Sequence, residues 1–512
     1  MKQLFTLLVA FTSLISLGQC PVGDVEFNSQ SDVDIFVSLY PNCTQIDGNL
    51  TIDSQSDENP VENLTGLSGL EVISGNLVIL SLSQMDEDTG EVIPGSLEGL
   101  EGLTSVSELL IGIDALFLNY HIQSLEPLSN LSGSIDRMIL SKTTFYEPLP
   151  DFSGLVSMGE FAWRNCNGVE ATPAFSNLNQ LDRFNVVGND LFGDSLKTVF
   201  IPDIESISGP ADSEVSFGII IQSCHSLENI LGGEGLSYVD QIILTTNNSL
   251  IDLSAFEEVT EVGRLIIGAY TESNFNSFRN LALANEIVLS PNKVFYGSDQ
   301  FIDEFTIRIG EDADNLFAYG EGLTINGESI GSLNMTSQFE KLGGLRIDTD
   351  DIYEISGFAS LDSIVTGTEN NGNLYINGRG LNTLPNFENL EGIDGDLILY
   401  LDNQVTEVSN MAGFEVLEFI GEELYVFVDP ENSTFTSLDG LSALVHCKDV
   451  TISGASVFED ISELNDLESL EDIKLYDLPM LSSEVSFPNL SSLAEFVSIG
   501  VGFENLPQFP NV

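Results

Sequence analysis

Two strings in the chain have the form that serine hydrolases build around a nucleophile. Gly327-Glu328-Ser329-Ile330-Gly331 fits the Gly-x-Ser-x-Gly pattern, and Gly193-Asp194-Ser195-Leu196 is a second hydrolase-like string. A nucleophile elbow needs a strand-to-helix turn in an α/β sheet, with an acid and a histidine behind it. The chain has three histidines, His121, His225 and His446. An Asp-x-x-His partner would place aspartate three residues before one of them, where Leu118, Gln222 and Ala443 stand instead. Both strings therefore read as chance products of a glycine-rich chain, and the expectation is a protein that is not an enzyme.

Metal chemistry has equally little to work with. The histidines are scattered, with no H-x-x-x-H or C-x-x-C spacing, so no transition-metal site is expected. Calcium has two weak candidates, Asp86-Glu87-Asp88-Thr89-Gly90-Glu91 and Glu311-Asp312-Ala313-Asp314-Asn315, which gather oxygen ligands in loop-like stretches. Neither completes an EF-hand loop or a calcium-binding β-helix repeat, so solvated acidic loops are the simpler reading and no cofactor is required.

The elements that would position any site follow from one recurring line: apolar residues three apart, a turn residue, then apolar residues two apart. It runs through Leu64, Leu67, Leu70, Ile73, Gly75, Leu77 and Ile79, and again through Leu381, Leu384, Phe387, Leu390, Ile393, Gly395, Leu397 and Leu399. Further copies span Leu250 to Ile267 and Ile461 to Leu475. A step of three suits short 3-10 turns that keep one edge inward, and a step of two marks a strand. Strand kernels, those near Arg183, Val215 and Gln241 among them, mostly recur every 22 to 32 residues, too short a unit to bury its own apolar edge, so successive copies must stack. The expected fold is a β-rich solenoid, a right-handed parallel single-sheet coil with short 3-10 turns. Roughly 18 rungs at ~4.8 Å each would give a rod on the order of 85 Å long.

After many strands a small residue stands three positions before the next apolar one: Cys166, Cys224, Asn247, Gly378, Asp402 and Asn432. Leucine-rich repeats place Asn or Cys there to satisfy backbone groups at the strand exit. Cys166 and Cys224 would lie two rungs apart, too far for a disulfide, and are expected outside one. Trp163 continues the inward series Phe152, Leu155, Met158, Phe161 and reads as core.

The segment Cys43-Thr44-Gln45-Ile46-Asp47-Gly48-Asn49-Leu50-Thr51-Ile52 and the recurring Leu-x-Gly-Leu-x-x-Ile-x-Gly-x-Leu-x-Ile line resemble receptor L domains, the ligand-binding modules of insulin and epidermal growth factor receptors. That resemblance implies a solenoid related to leucine-rich repeats, with a disulfide-linked helical cap at its start. It covers most of the chain but is loose from about Tyr270 to Leu342. The array is longer than one receptor L domain and lacks cysteine-rich modules, a kinase or a membrane helix, and it looks more like long secreted bacterial arrays. No ligand residues carry over.

Charge and export signals narrow the role. The chain has 80 acidic and 15 basic residues, a formal charge of -65, which repels nucleic acid and anionic lipid. Hydrophobic content of 42% places this acid on a folded surface rather than a disordered chain. Residues 1–19 read as a signal peptide whose apolar run is too short to span a bilayer, so the mature chain is expected to be secreted or held at a cell surface, without membrane insertion. The cysteines number five, and Cys20 and Cys43 bracket a short amphipathic segment, so they are paired here as a disulfide of an N-terminal cap. The expected organisation is signal 1–19, cap 20–48, a first solenoid 49–290, less regular rungs 291–343, and a second solenoid 344–512. The period-three line Phe503, Leu506, Phe509, Val512 stops before a strand, which suggests continuation or a covering partner.

The best candidate site is a stripe of aromatics. With Leu374, Ile376, Leu397, Leu399, Leu424, Val426, Ile473 and Leu475 inward, Tyr375, Tyr400, Tyr425, Phe427 and Tyr476 must point outward. Exposed rings on a rigid sheet stack on sugars or anchor a protein, although aromatic residues also favour strands for packing reasons alone. Eight N-x-S/T strings, Asn247 and Asn432 among them, would be glycan acceptors in a eukaryotic secretory pathway. The reading is an extracellular binding or adhesion protein for a protein or carbohydrate ligand. A polysaccharide-active enzyme on a parallel β-helix is the alternative, disfavoured by the scarcity of clustered Arg and Lys; a structural cell-envelope element is the third.

Overall fold

The structure is a computed structural model of the chain. It describes residues 20–54, 59–85, 89–113, 120–188, 195–209, 217–247, 249–268, 274–290, 302–309, 316–327, 330–337, 339–350, 352–366, 372–402, 405, 407–481, 486–503 and 507–512. The chain folds as a parallel β-solenoid of about 17 turns with a few 3-10 turns. It divides into two compact units, one up to Met158 and one from Gly159.

In the first unit, Val25–Phe27, Leu50–Asp53, Asn76–Ser81, Glu108–Ile111 and Gly133–Ser141 pair in parallel, each with the next. Register stacks like on like: Leu50, Leu77, Leu109 and Met138 share one level, and Ile52, Ile79, Ile111 and Leu140 the next. All eight are at most 1% exposed. The period-three residues Leu64, Leu67, Leu70 and Ile73 are buried too, with a 3-10 turn at Thr65–Leu67, so the spacing of three does what the sequence suggested.

The N-terminal edge is closed as expected. Cys20 and Cys43 form a disulfide with Cα atoms 4.9 Å apart. Between them lies a helix, Gln30–Leu39, whose Val33 and Phe36 are buried, with Phe36 packing edge-on against Phe27 at 5.4 Å. The strand Val25–Phe27 had no counterpart in the sequence reading. It pairs with Leu50–Asp53, so the sheet begins inside the segment assigned to the cap.

In the second unit the sheet runs through Gln180–Val187, Gly218–Gln222, Tyr238–Thr245, Glu261–Gly268, Leu283–Ser290, Leu316–Gly327, Leu345–Thr349, Leu374–Gly378, Leu397–Leu401, Phe419–Val428, His446–Ser453, Asp472–Tyr476 and Glu495–Ile499. Leu374, Leu397, Leu424, Val450 and Ile473 form one buried column; Ile376, Leu399, Val426, Ile452 and Leu475 form the next. Trp163 is fully buried, as its place in the series implied. Period-three phenylalanines stack across rungs as well, Phe358 on Phe387 at 5.1 Å and Phe387 on Phe414 at 5.0 Å.

Two features go beyond the expectation. A second parallel sheet, formed by Asn274–Phe278, Ile302–Ile309, Ile330–Ser337 and Glu354–Ser356, runs through the less regular stretch and past both its ends, while Leu316–Gly327 continues the main one. The strand kernel placed at Val215 lies outside the described residues, and the strand itself begins at Gly218, in register with Arg183 and before Ile219.

Three strand exits share one recipe. Asn165, Ser223 and Thr246 adopt left-handed backbone, with φ of 54°, 57° and 60°, and the ladder residues Cys166, Cys224 and Asn247 come immediately after. Asn247 donates from Nδ2 to the carbonyl of Ile221 at 2.8 Å and accepts the amide of Cys224 at 3.1 Å. Asn432 donates to the carbonyls of Asp402 and Val405 at 2.9 and 2.8 Å. With 0% and 1% exposure, these two asparagines are structural members of the coil, and the glycan-acceptor reading does not apply to them in the folded chain. The thiols of Cys166, Cys224 and Cys447 are buried and lie outside any disulfide. Burial pushes the Cys447 thiol up to about 12, and it donates to the carbonyl of Asp449 at 3.0 Å.

The alternation gives a direct check. Leu399→Ala removes a fully packed side chain and should cost about 2–5 kcal/mol, whereas Ile398→Ala, on the partly exposed outer face, should cost less than half of that. Denaturant unfolding of the two variants measures the difference, and equal costs would contradict the assigned facing.

Candidate functional site

Each strand of the second unit presents alternate residues outward because the residues between them are taken by the core. Successive registers then turn single residues into columns. One outward column runs Arg346, Tyr375, Ile398, Tyr425, Thr451, Lys474, Val497; the next runs Asp348, Asn377, Tyr400, Phe427, Ser453, Tyr476, Ile499.

Four of the five expected aromatics meet. The ring of Tyr400 lies 5.7 Å from that of Tyr375, 5.7 Å from that of Tyr425 and 5.8 Å from that of Phe427. All four are partly exposed. Tyr476 stands apart, because Ser453 occupies the rung between it and Phe427. The interplanar angles of 46° to 49° tilt the rings against one another rather than closing them in a parallel stack. Burial of the phenol is the first cause raising the Tyr375 and Tyr425 pKa values; nearby Asp348 adds to it for Tyr375.

Arg346 completes the cluster, and its part was not visible in the sequence. Its guanidinium sits 4.2 Å from the centre of the Tyr375 ring and its Nη2 donates to Asp348 at 2.6 Å. A third outward column, one pleat earlier, is acidic: Glu423, Asp449, Asp472 and Glu495 occupy four successive rungs in register. Above it the column becomes structural, since Asp396 accepts the amide of Glu423 at 3.0 Å and Asn373 accepts that of Asp396 at 2.9 Å. Burial and then the carboxylate of Asp472 raise the pKa of Asp449, with Glu423 adding to the rise and Lys448 and Lys474 opposing it. Lys474 is itself bound to Asp472 at 3.1 Å, and Lys448 to Glu422.

The same outward position earlier in the unit is aliphatic, with Ile220, Ile243, Ile266 and Val288 in register and partly exposed. Strings such as Ile219-Ile220-Ile221 look like fully buried strand in sequence, so this column was missed.

The remaining sequence candidates separate cleanly. Ser195 Oγ donates to the carbonyl of Val169 and accepts the amide of Gly168, both at 2.9 Å, so this hydroxyl ties two rungs together. Gly193 and Asp194 of that string, Glu328 and Ser329 of the other, Asp86, Glu87 and Asp88, and the stretch 311–315 lie outside the described residues. Among the described residues no group of three or more His, Cys, Asp or Glu side chains converges to hold a metal ion. His121 pairs with the hydroxyl of Tyr146 at 3.1 Å, and burial lowers its pKa. Among the described residues no helix is long and apolar enough to cross a membrane.

Compared with known families and curated proteins, the sequence matches no family model and no curated relative. The geometry of the sheet face is therefore what speaks to its use.

The acidic column makes a sign-defined prediction. A carboxyl whose folded pKa is raised binds its proton more readily when folded, so its ionisation costs stability above that folded pKa and costs nothing below the unfolded value of 3.8. Asp449→Asn should raise the melting temperature at pH 7 by on the order of a degree. The gain should vanish near pH 3.8 and shrink in high salt. Calorimetry across pH checks this, and a gain that persists in acid would contradict it.

Proposed function

We propose that this chain is an extracellular binding or adhesion protein, secreted or held at a cell surface, that offers the outer face of its parallel sheet to a protein or glycan. The observation that carries this reading is the contact cluster of Tyr375, Tyr400, Tyr425 and Phe427, four partly exposed rings held by three successive strands. Aromatic rings with two rotatable torsions on a rigid sheet lose little entropy when they bind, which is why such residues concentrate at recognition hot spots. The signal-like start, the Cys20–Cys43 disulfide and the resemblance to receptor L domains all support an exported recognition role. Binding is favoured over catalysis because Ser195, the described serine of the two hydrolase-like strings, has its hydroxyl engaged by backbone. The basic residues Arg137, Lys197, Arg264 and Arg379 are each paired with carboxylates on neighbouring rungs, an arrangement that serves the coil rather than a uronate substrate.

The test uses the full chain on immobilised glycan and peptide arrays. Tyr400→Ala combined with Tyr425→Ala should weaken retention on its strongest array ligand by about tenfold or more, with the melting temperature unchanged. Equal retention by both proteins would remove the sheet face as the binding surface.

A further inference from the structure

The aromatic cluster and the acidic column together define what chemistry the face can hold, an inference that rests on the binding role proposed above. Arg346 shows the recognition within the chain itself. One guanidinium sits with its central carbon 4.2 Å from the Tyr375 ring centre while bonding the Asp348 carboxylate at 2.6 Å. Arginine suits both contacts because its planar, weakly hydrated cation stacks on a ring and still donates in a fork to a carboxylate. The rungs below repeat the ring and carboxylate parts without an arginine. Glu423 and Tyr425 lie on the same face of one strand, and Asp449 and Asp472 follow Glu423 in register. Neighbouring strands stand ~4.8 Å apart, so this places like charges side by side on consecutive rungs. Lys448 and Lys474 oppose the charge of Asp449, each already bonded to a carboxylate. In-register like charges lower stability, and a cation from outside would relieve that cost. The net charge of -65 draws in a cationic partner and turns away anionic ones.

We propose that the strip formed by Tyr400, Tyr425 and Phe427 beside Glu423, Asp449 and Asp472 docks an extended, arginine-bearing segment of a partner protein. Guanidinium groups stack on the rings and donate to the carboxylates, as Arg346 does on Tyr375.

The probe is a synthetic dodecapeptide of alternating arginine and serine, compared with its citrulline counterpart, which keeps the planar group and removes the charge. Binding to the full chain is read by calorimetry at physiological salt. The arginine peptide should bind and the citrulline peptide should not. Tyr400→Ala with Tyr425→Ala, and separately Glu423→Gln with Asp449→Asn and Asp472→Asn, should each weaken the arginine peptide about tenfold. The exposed acids of the first unit, changed together as Glu62→Gln, Glu98→Gln and Glu126→Gln, should leave it unchanged. Equal weakening by this first-unit triple variant would reduce the effect to bulk charge and overturn the proposal, as would equal binding of the citrulline peptide. An array glycan that depends on Tyr400 and Tyr425 but ignores the acidic triple variant would also overturn it, while leaving the sheet face as a binding surface. Insensitivity of every array ligand and of the peptide to the tyrosine pair would end both.

Discussion

Parallel, in-register pairing is the constraint from which everything else in this protein follows. A strand in such a sheet places each residue directly against the same position of the next rung, so a side chain is never chosen alone. Inside, this produces columns of Leu, Ile and Val such as Leu374, Leu397, Leu424, Val450 and Ile473, each level closing the one below it. At the strand exits it produces ladders, where the amide of Asn247 holds the carbonyl of Ile221 on the neighbouring rung. On the outer face the same rule lines up whatever the sequence supplies, attractive or repulsive.

The rule explains how the scarce cations are used. Arg137 forks onto Glu108, one rung away, with two bonds of 2.9 Å, and Arg264 pairs with Glu286 in the same register relation. Where a basic residue faces an acid, register joins them; where acids follow one another, as from Glu423 to Glu495, register forces repulsion. The sheet tolerates this because the buried columns beneath contribute far more than exposed carboxylates lose in water. A local conflict between charge and register is the kind of departure that otherwise consistent folds carry at functional or strained sites. It falls here beside the exposed aromatic cluster.

Strand exits show a second compromise. Several strands turn out through left-handed backbone, which glycine supplies at Gly454 with φ of 84° and which Ser223 and Thr246 supply at some conformational cost. Side-chain substitution at Gly454 is blocked twice, since a Cβ would meet the carbonyl oxygen of Val428 at 2.2 Å. The Cys224 thiol, donating to the carbonyl of Gln222, and the Asn247 side-chain amide, donating to Ile221 and accepting from Cys224, then satisfy the backbone groups that the turn leaves open.

Periodicity by itself determined the coil. Steps of three and two along Leu64 to Ile79 and Leu381 to Leu399 have one solution in which every apolar residue is inside, and the same count identified Trp163 as core, Cys166 and Cys224 as ladder residues, and Tyr375, Tyr400, Tyr425 and Phe427 as outward. Those facts are local, set by the period of the backbone. What only the tertiary structure decided is adjacency across rungs, because loops of varying length hide which residues share a level. Tyr400 touches three rings while Tyr476, alike in sequence, touches none of them; Ile220 is outward although its run reads as core; Arg346 reaches Tyr375 from a strand 29 residues earlier. Spacing along the chain governs facing, whereas neighbours are chosen by register, and register is a property of the folded stack.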